Sequence, residues 1–141
     1  MTHKIKLRGP WQIEALESST GPLPPPTETA VPGDWGSALG LHFRGSARYT
    51  RRFGLPTNLE PGERVSLVVG RVDYAAAVKL NGELLGWQSF IDEEWQYDVT
   101  AKLKPRNELE IVVTQHGDET RPGRENLPGG LIGEVRLEIE S

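Results

Sequence analysis

The chain has 141 residues, a formal net charge of −4, 26% charged residues and no cysteine. This length fits one domain with a hydrophobic core, and the missing cysteines exclude disulfides and thiolate metal sites. Acidic and basic residues are interspersed without a basic stripe, and no apolar run is long enough to cross a membrane, so neither nucleic acid nor a membrane is an expected partner.

Short stretches with a two-residue hydrophobic period, separated by glycine and proline, predict an all-β domain over residues 1–141. The first strand is expected from Lys4 to about Leu16, with a break near Gly9-Pro10. Residues 17–33 are rich in Ser, Thr and Pro. We interpret them as a crossover on the surface rather than a linker between domains, because the segment before them is too short to fold alone.

The middle of the chain predicts strands and one tight hairpin. Strands are expected at residues 47–55 and 64–70, and residues 75–80 lead into the turn. Asn81-Gly82 is among the strongest short-range hairpin signals, because both residues tolerate a positive φ. The return strand is expected to begin at Leu84 and Leu85.

The C-terminal part predicts a long loop between strands. Residues 116–130 are charged and rich in glycine, which is typical of a loop. The strands are expected at residues 96–99, 108–115 and 132–139. Single helical turns are expected at 34–38 and 99–103, where Asp34 or Thr100 could cap the N-terminus. About eight strands with frequent turns indicate a two-sheet antiparallel β-sandwich, and a jelly roll in particular.

Motifs along nearly the whole chain also resemble a known family. The most characteristic set surrounds the hairpin and consists of Val72-Asp73, Ala76, Val78, Leu80-Asn81-Gly82 and Leu85-Gly86. The others, in chain order, are Leu7-Arg8-Gly9-Pro10-Trp11, Val31-Pro32-Gly33-Asp34-Trp35, Tyr49 with Arg51-Arg52-Phe53 and Leu55-Pro56, Tyr97-Asp98-Val99-Thr100, Asn107 with Leu109, Ile111 and Val113, and Gly129-Gly130-Leu131-Ile132 with Val135. In this order they resemble the N-terminal sugar-binding-type domain of family 2 glycoside hydrolases, the group of the β-galactosidases, β-glucuronidases and β-mannosidases.

The resemblance implies a galactose-binding-like jelly roll without catalytic residues. In these enzymes the two catalytic glutamates belong to a separate barrel domain, for which this chain offers no counterpart. Glycoside hydrolysis requires two carboxylates held at a fixed separation. The adjacent Asp92, Glu93 and Glu94 do not meet that requirement, and we interpret them as solvated loop charges. We therefore do not expect an enzyme.

Sugar binding requires an aromatic ring and polar side chains that can reach hydroxyl groups. Trp87 follows Gly86 at the start of a loop and is the tryptophan expected to be most exposed, and Trp35 could lie over the core from a loop. Trp11 and Trp95 are expected to be packed. The loop 116–130 adds side chains suited to hydroxyls or to an anionic sugar, so the candidate ligand-binding set is Trp87, Trp35, His116, Asp118, Arg121, Arg124 and Asn126. A mobile, solvated loop is an equally valid interpretation of its composition.

No metal site is predicted, because His116, Asp118 and Glu119 form only a fragment of a ligand set. Loop carbonyls together with Asp118 or Asp92 could hold a calcium ion, the one cofactor that the sequence leaves open. The N-terminal lysines precede no apolar stretch, so no signal peptide is recognised, and a complete chain would be cytoplasmic.

Two functions remain open. The first is a module that binds carbohydrate weakly, which requires an exposed ring beside convergent polar groups. The second is a structural accessory domain that packs against a glycosidase catalytic domain or a partner subunit without binding sugar. That function requires a broad exposed apolar patch.

Overall fold

The computed structural model describes residues 2–141 as short antiparallel strands with one helix of a single turn. The strands are β1 (Thr2–Lys6), β2 (Trp11–Ser18), β3 (Thr27–Thr29), β4 (Gly45–Gly54), β5 (Arg64–Gly70), β6 (Val72–Asp73), β7 (Ala75–Leu80), β8 (Glu83–Ser89), β9 (Glu94–Asp98), β10 (Arg106–Gln115), β11 (Gly130–Leu131) and β12 (Val135–Glu140), and the helix is α1 (Gly36–Leu39).

Two antiparallel sheets form the sandwich. The four-stranded sheet has the order β1-β12-β5-β9, and the six-stranded sheet has the order β3-β2-β4-β10-β7-β8. A short pair, β11 with β6, forms a third sheet of two strands that contacts β10. The predicted all-β jelly-roll sandwich is confirmed.

The core lies between the sheets and is built from alternate residues of the strands. In β10, Leu109, Ile111 and Val113 are fully buried while the residues between them are only partly buried, as expected for a strand with one face toward a core. Trp11 and Tyr49 meet edge to face with ring centroids 6.5 Å apart. Burial raises the pKa of the Tyr49 phenol, whose hydroxyl accepts a hydrogen bond from the backbone N–H of Leu131.

Most predicted strands are confirmed within a few residues, and the predicted break at Gly9-Pro10 separates β1 from β2. Three strands were missed, namely β3, β6 and β11, because two or three residues are too few to show a period. The last strand begins at Val135 rather than Ile132, since the backbone N–H groups of Ile132 and Gly133 both donate to the Arg71 carbonyl instead of to a neighbouring strand of the sheet. Residues 17–33 run from the end of β2 through β3.

The two predicted helical turns differ in outcome. The first is confirmed in part as α1, which begins at Gly36; the Asp34 Oδ1 atom accepts a hydrogen bond from the Gly36 N–H at 2.9 Å. The second was wrong, because residues 99–103 form a non-helical turn in which the Lys102 N–H donates to the Val99 carbonyl. Thr100 is held there by Asp98, whose Oδ1 atom accepts from the Thr100 N–H at 3.0 Å.

Candidate functional site

The four tryptophans divide into two buried and two exposed rings. Trp87 is 72% exposed and Trp11 is 0% exposed, which confirms both predictions. Trp35, named as a candidate ligand residue, is fully buried and packs edge to face on Phe43 at 5.1 Å, so its ring offers no exposed face to a ligand. The prediction that Trp95 is packed was wrong. It is 47% exposed near the start of β9, an edge strand of the four-stranded sheet.

Asp73 is a fully buried carboxylate at which the loop 116–130 attaches to the sandwich. Its Oδ2 atom accepts hydrogen bonds from Thr120 Oγ1 at 3.1 Å and from Arg124 Nε at 3.0 Å. Its Oδ1 atom accepts from the backbone N–H of Arg121 at 2.9 Å. A buried charge requires such partners, so Asp73 fixes the middle of the loop.

The two loop arginines bind the protein itself. Arg121 is 8% exposed, and its guanidinium donates to the Asp92 carbonyl at 3.0 Å and to Glu93 Oε1 at 3.0 Å. The Arg124 Nη2 atom donates to the Pro128 carbonyl at 2.6 Å. Their guanidinium groups hold the loop in place, and contact of Arg121 and Arg124 with a ligand stays a prediction.

The remaining predicted ligand residues of the loop are more accessible than Arg121. His116 is partly exposed, with Nε2 3.7 Å from Glu17 Oε2, and Asp118 and Asn126 are exposed. Among residues 2–141, no three His, Asp or Glu side chains form a group that could hold a metal ion. The Asp92 carboxylate, named with Asp118 for calcium, accepts a hydrogen bond from the Ser89 N–H at 3.0 Å.

Trp87 stands on the outer face of the six-stranded sheet. The next residue, Gln88, points between the sheets, where its Nε2 atom donates to the carbonyls of Val69 at 3.1 Å and Gly70 at 2.7 Å. Because successive side chains of a strand point to opposite faces, Trp87 points outward. Its cross-strand partner is Ala77, a small residue that leaves the side of the indole accessible.

The same outer face carries a polar hollow of about 540 Å³. Its floor and walls include Gln12, Arg48, Thr50, Arg52, Glu108 and Glu110. The charged groups in it form ion pairs: Arg48 lies 3.5 Å from Glu110, and Arg52 lies 3.1 Å from Glu108. Planar guanidinium and carboxylate groups of this kind bridge hydroxyl groups well.

A larger hollow of about 970 Å³ lies at the hairpin end of the sandwich. Two ion pairs line it, Arg64–Asp98 at 2.9 Å and Lys102–Glu83 at 2.7 Å. Hydrogen bonds from Thr100, and then the charge of Arg64, hold the pKa of Asp98 below its ordinary value. The described residues that line this hollow include no aromatic side chain, so it lacks a surface on which a sugar ring could stack.

Exposed apolar side chains are concentrated between residues 84 and 95. Leu84 is 44% exposed, Trp87 72%, Ile91 74% and Trp95 47%. They belong to β8, to β9 and to the turn between these two edge strands. Trp87 faces outward from the six-stranded sheet, and Trp95 pairs with Val69 in the four-stranded sheet.

Within residues 2–141, no helix has the length and hydropathy needed to cross a membrane.

A comparison with proteins of curated function finds no significant match. Solved structures do match. The β-glucuronidase of Bifidobacterium dentium, complexed with coumarin-3-O-glucuronide, has 26% identity and a TM-score of 0.77, over 98% of this chain and 30% of that chain.

Two other solved structures show the same fold at lower identity. The β-glucuronidase of Faecalibacterium prausnitzii has 23% identity and a TM-score of 0.75, over 98% of this chain and 31% of that chain. The family 2 β-galacturonidase of Eisenbergiella tayi, bound to galacturonate, has 20% identity and a TM-score of 0.73, over 98% of this chain and 24% of that chain. The chain therefore spans less than a third of the length of these enzymes.

A family model described as "Glycosyl hydrolase 2 galactose-binding domain-like" matches residues 36–137, which is most of the chain. The region shared with the larger enzymes is their non-catalytic sandwich domain and does not include the catalytic barrel. By this match and by its fold, the chain belongs to the galactose-binding-like domains of glycoside hydrolase family 2.

Proposed function

We propose that this domain is a non-catalytic module that binds carbohydrate weakly. The observation that carries the proposal is Trp87, an indole that is 72% exposed on a sheet face that also carries a polar hollow of about 540 Å³. Sites for small polar ligands combine an aromatic surface with a few placed polar groups. Trp87 supplies the first, and the ion-paired side chains of the hollow, three strands away on the same face at Arg48, supply the second.

The relatives support a carbohydrate context for the domain. The B. dentium enzyme was solved with a glucuronide and the E. tayi enzyme with galacturonate. Those ligands belong to proteins more than three times as long, so they name a class of molecule and not the ligand of this chain. We expect the binding to be weak because Trp87 is open to solvent. A small ligand buries little surface on it, and this offsets little of the translational and rotational freedom that the ligand loses.

A second candidate function is that of an accessory domain that packs against a glycosidase catalytic domain. The observation in its favour is that Leu84, Ile91 and Trp95, like Trp87, are exposed apolar side chains within residues 84–95. Such side chains are typical of a surface that another protein covers. In this function Trp87 would lie inside the covered area and would not meet a sugar.

An amide NMR titration of the ¹⁵N-labelled domain separates the two candidates. The domain would be titrated with neutral and acidic mono- and oligosaccharides up to roughly tens of millimolar, because weak binding is expected. Saturable shifts that include the Trp87 indole N–H are the expected result. A spectrum that stays unchanged across the whole panel would contradict carbohydrate binding and would favour the packing domain.

A further inference from the structure

One transverse row of side chains crosses the outer face of the six-stranded sheet. The strand registers pair Trp87 with Ala77, Ala77 with Val112, Val112 with Arg48, and Arg48 with Glu14. In β7, Ala76 and Val78 on either side of Ala77 are buried at 3% and 0%, so Ala77 faces outward. The row therefore runs from an exposed indole, past two small apolar side chains, to an ion pair.

The length of this row sets the size of the ligand. Neighbouring strands lie about 4.8 Å apart, so the three steps from Trp87 to Arg48 span roughly 14 Å. A linear trisaccharide covers that distance, whereas a monosaccharide reaches only one end of it. Ala77 and Val112 are short enough to let a chain lie flat between the indole and the hollow that contains Arg48.

The charges along the row decide between neutral and anionic sugars. Arg48 already contacts Glu14 at 3.2 Å and Glu110 at 3.5 Å, and Arg52 contacts Glu108 at 3.1 Å. Arg51 also lines the hollow, and its guanidinium donates to the Arg8 and Arg52 carbonyls. The three guanidinium groups are thus matched in number by the three carboxylates, and each already has an acceptor in the protein. A uronate therefore finds no guanidinium group there that lacks an acceptor, while the hydroxyl groups of a neutral sugar can bond to both partners of an ion pair.

From these observations we infer that the outer face of the six-stranded sheet, from Trp87 to the Arg48–Glu14 pair, binds a neutral linear oligosaccharide that lies across the strands. One end ring stacks on Trp87, the chain passes over Ala77 and Val112, and the far ring bonds to the hollow at Arg48. This inference rests on the proposed function and specifies its site and its ligand class. It also moves the site from the loop 116–130 to the sheet face.

Cellotriose, xylotriose and mannotriose are the neutral probes, with the corresponding monosaccharides and trigalacturonic acid for comparison. We expect at least one trisaccharide to give saturable amide shifts at Trp87, Ala77, Val112 and Arg48, with at least about tenfold tighter binding than its monosaccharide. Trigalacturonic acid is expected to bind more weakly than the neutral trisaccharide. Tighter binding of the uronate would overturn the assignment of a neutral ligand.

Two tryptophan variants form a matched pair. Trp87→Ala removes the exposed ring of the row and is expected to raise the dissociation constant of the trisaccharide at least about fivefold. Trp95→Ala removes the second exposed indole, which lies on β9 of the four-stranded sheet. It is expected to change the dissociation constant of the trisaccharide less than about twofold. The dispersion of each amide spectrum reports that the variant is folded.

A third variant, Ala77→Gln, tests the path between the ends of the row. A longer side chain there obstructs a ligand that spans the strands, so it is expected to weaken trisaccharide binding and to leave monosaccharide shifts unchanged. Sugar-induced shifts confined to residues 116–130, with Trp87→Ala binding like the parent protein, would overturn this inference and leave the proposed function intact. No shifts with any sugar would overturn both.

Discussion

Asp73 determines the position of the longest loop through a single buried carboxylate. Both of its carboxylate oxygens accept hydrogen bonds from that loop. Oδ2 accepts from the side chains of Thr120 and Arg124, and Oδ1 accepts from the backbone N–H of Arg121. Such a carboxylate is costly to bury and becomes stabilising only when its partners are all in place. The loop is therefore ordered by a residue that lies 48 positions away from Arg121 in the chain.

Replacing this carboxylate should destabilise the domain and loosen the loop. Asp73→Ala leaves Arg124 without its buried partner, so we expect the free energy of unfolding to fall by about 3 kcal/mol in urea denaturation. Asp73→Asn keeps one acceptor oxygen, so its free energy of unfolding should fall by clearly less than that of the alanine variant. Amide hydrogen exchange of residues 116–130 should accelerate in the alanine variant. A loss below about 0.5 kcal/mol, the range of ordinary surface substitutions, would contradict this role of Asp73.

The strands are the part of the fold that local sequence predicts best. In β10 the alternation of Leu109, Ile111 and Val113 with partly buried residues is long enough to be recognised. The two-residue strands β6 and β11 have no period and depend on pairing between Asp73 and Gly130. Nothing local to β6 or β11 indicates that pairing, so sequence reasoning missed both.

The candidate site was predictable only where exposure follows from local pattern. Trp87 after Gly86 was such a case, and its exposure is confirmed. Arg121 and Arg124 look like ligand groups in an isolated loop, because their partner Asp73 is distant in sequence. The burial of Trp35 against Phe43 likewise depends on how the chain packs and not on the residues beside it.

The turn after β9 should make the stability of the domain depend on acid pH. Thr100 and then Arg64 lower the pKa of Asp98 in the folded protein relative to the ordinary value of 3.8. A lowered pKa means that the folded state binds the proton more weakly than the unfolded state. The stabilisation is therefore complete above the unfolded pKa and is lost as the pH falls through the lowered folded pKa.

Urea denaturation of the parent protein and of Asp98→Asn at several pH values measures this contribution. We expect the parent to be more stable than the variant at pH 6, with the difference declining between about pH 5 and pH 2. Arg64→Gln removes one cause of the lowered pKa and should reduce the difference without abolishing it, because the Thr100 bonds remain. A difference that does not vary with pH would contradict the assignment.

At the scale of the whole molecule, both sheets contribute to one hydrophobic core. Buried side chains of the four-stranded sheet, such as Leu67 and Leu137, belong to the same cluster as Val78 and Ile111 of the six-stranded sheet. Neither sheet can therefore bury its inner face without the other. The proposed ligand surface lies on the outer face of one sheet, so the core holds that face rigid from beneath.

We propose that residues 1–141 form a single domain. Because the core is shared, we expect this domain to unfold in one cooperative transition. Leu67→Ala empties a position that is 1% exposed and should lower the free energy of unfolding by about 3 kcal/mol. Leu41→Ala, at a site that is 68% exposed, is the matched control and should change it by less than about 0.5 kcal/mol. Urea transitions followed by circular dichroism and by tryptophan fluorescence should coincide in all three proteins. Separate transitions of the two signals in Leu67→Ala would contradict a single cooperative core.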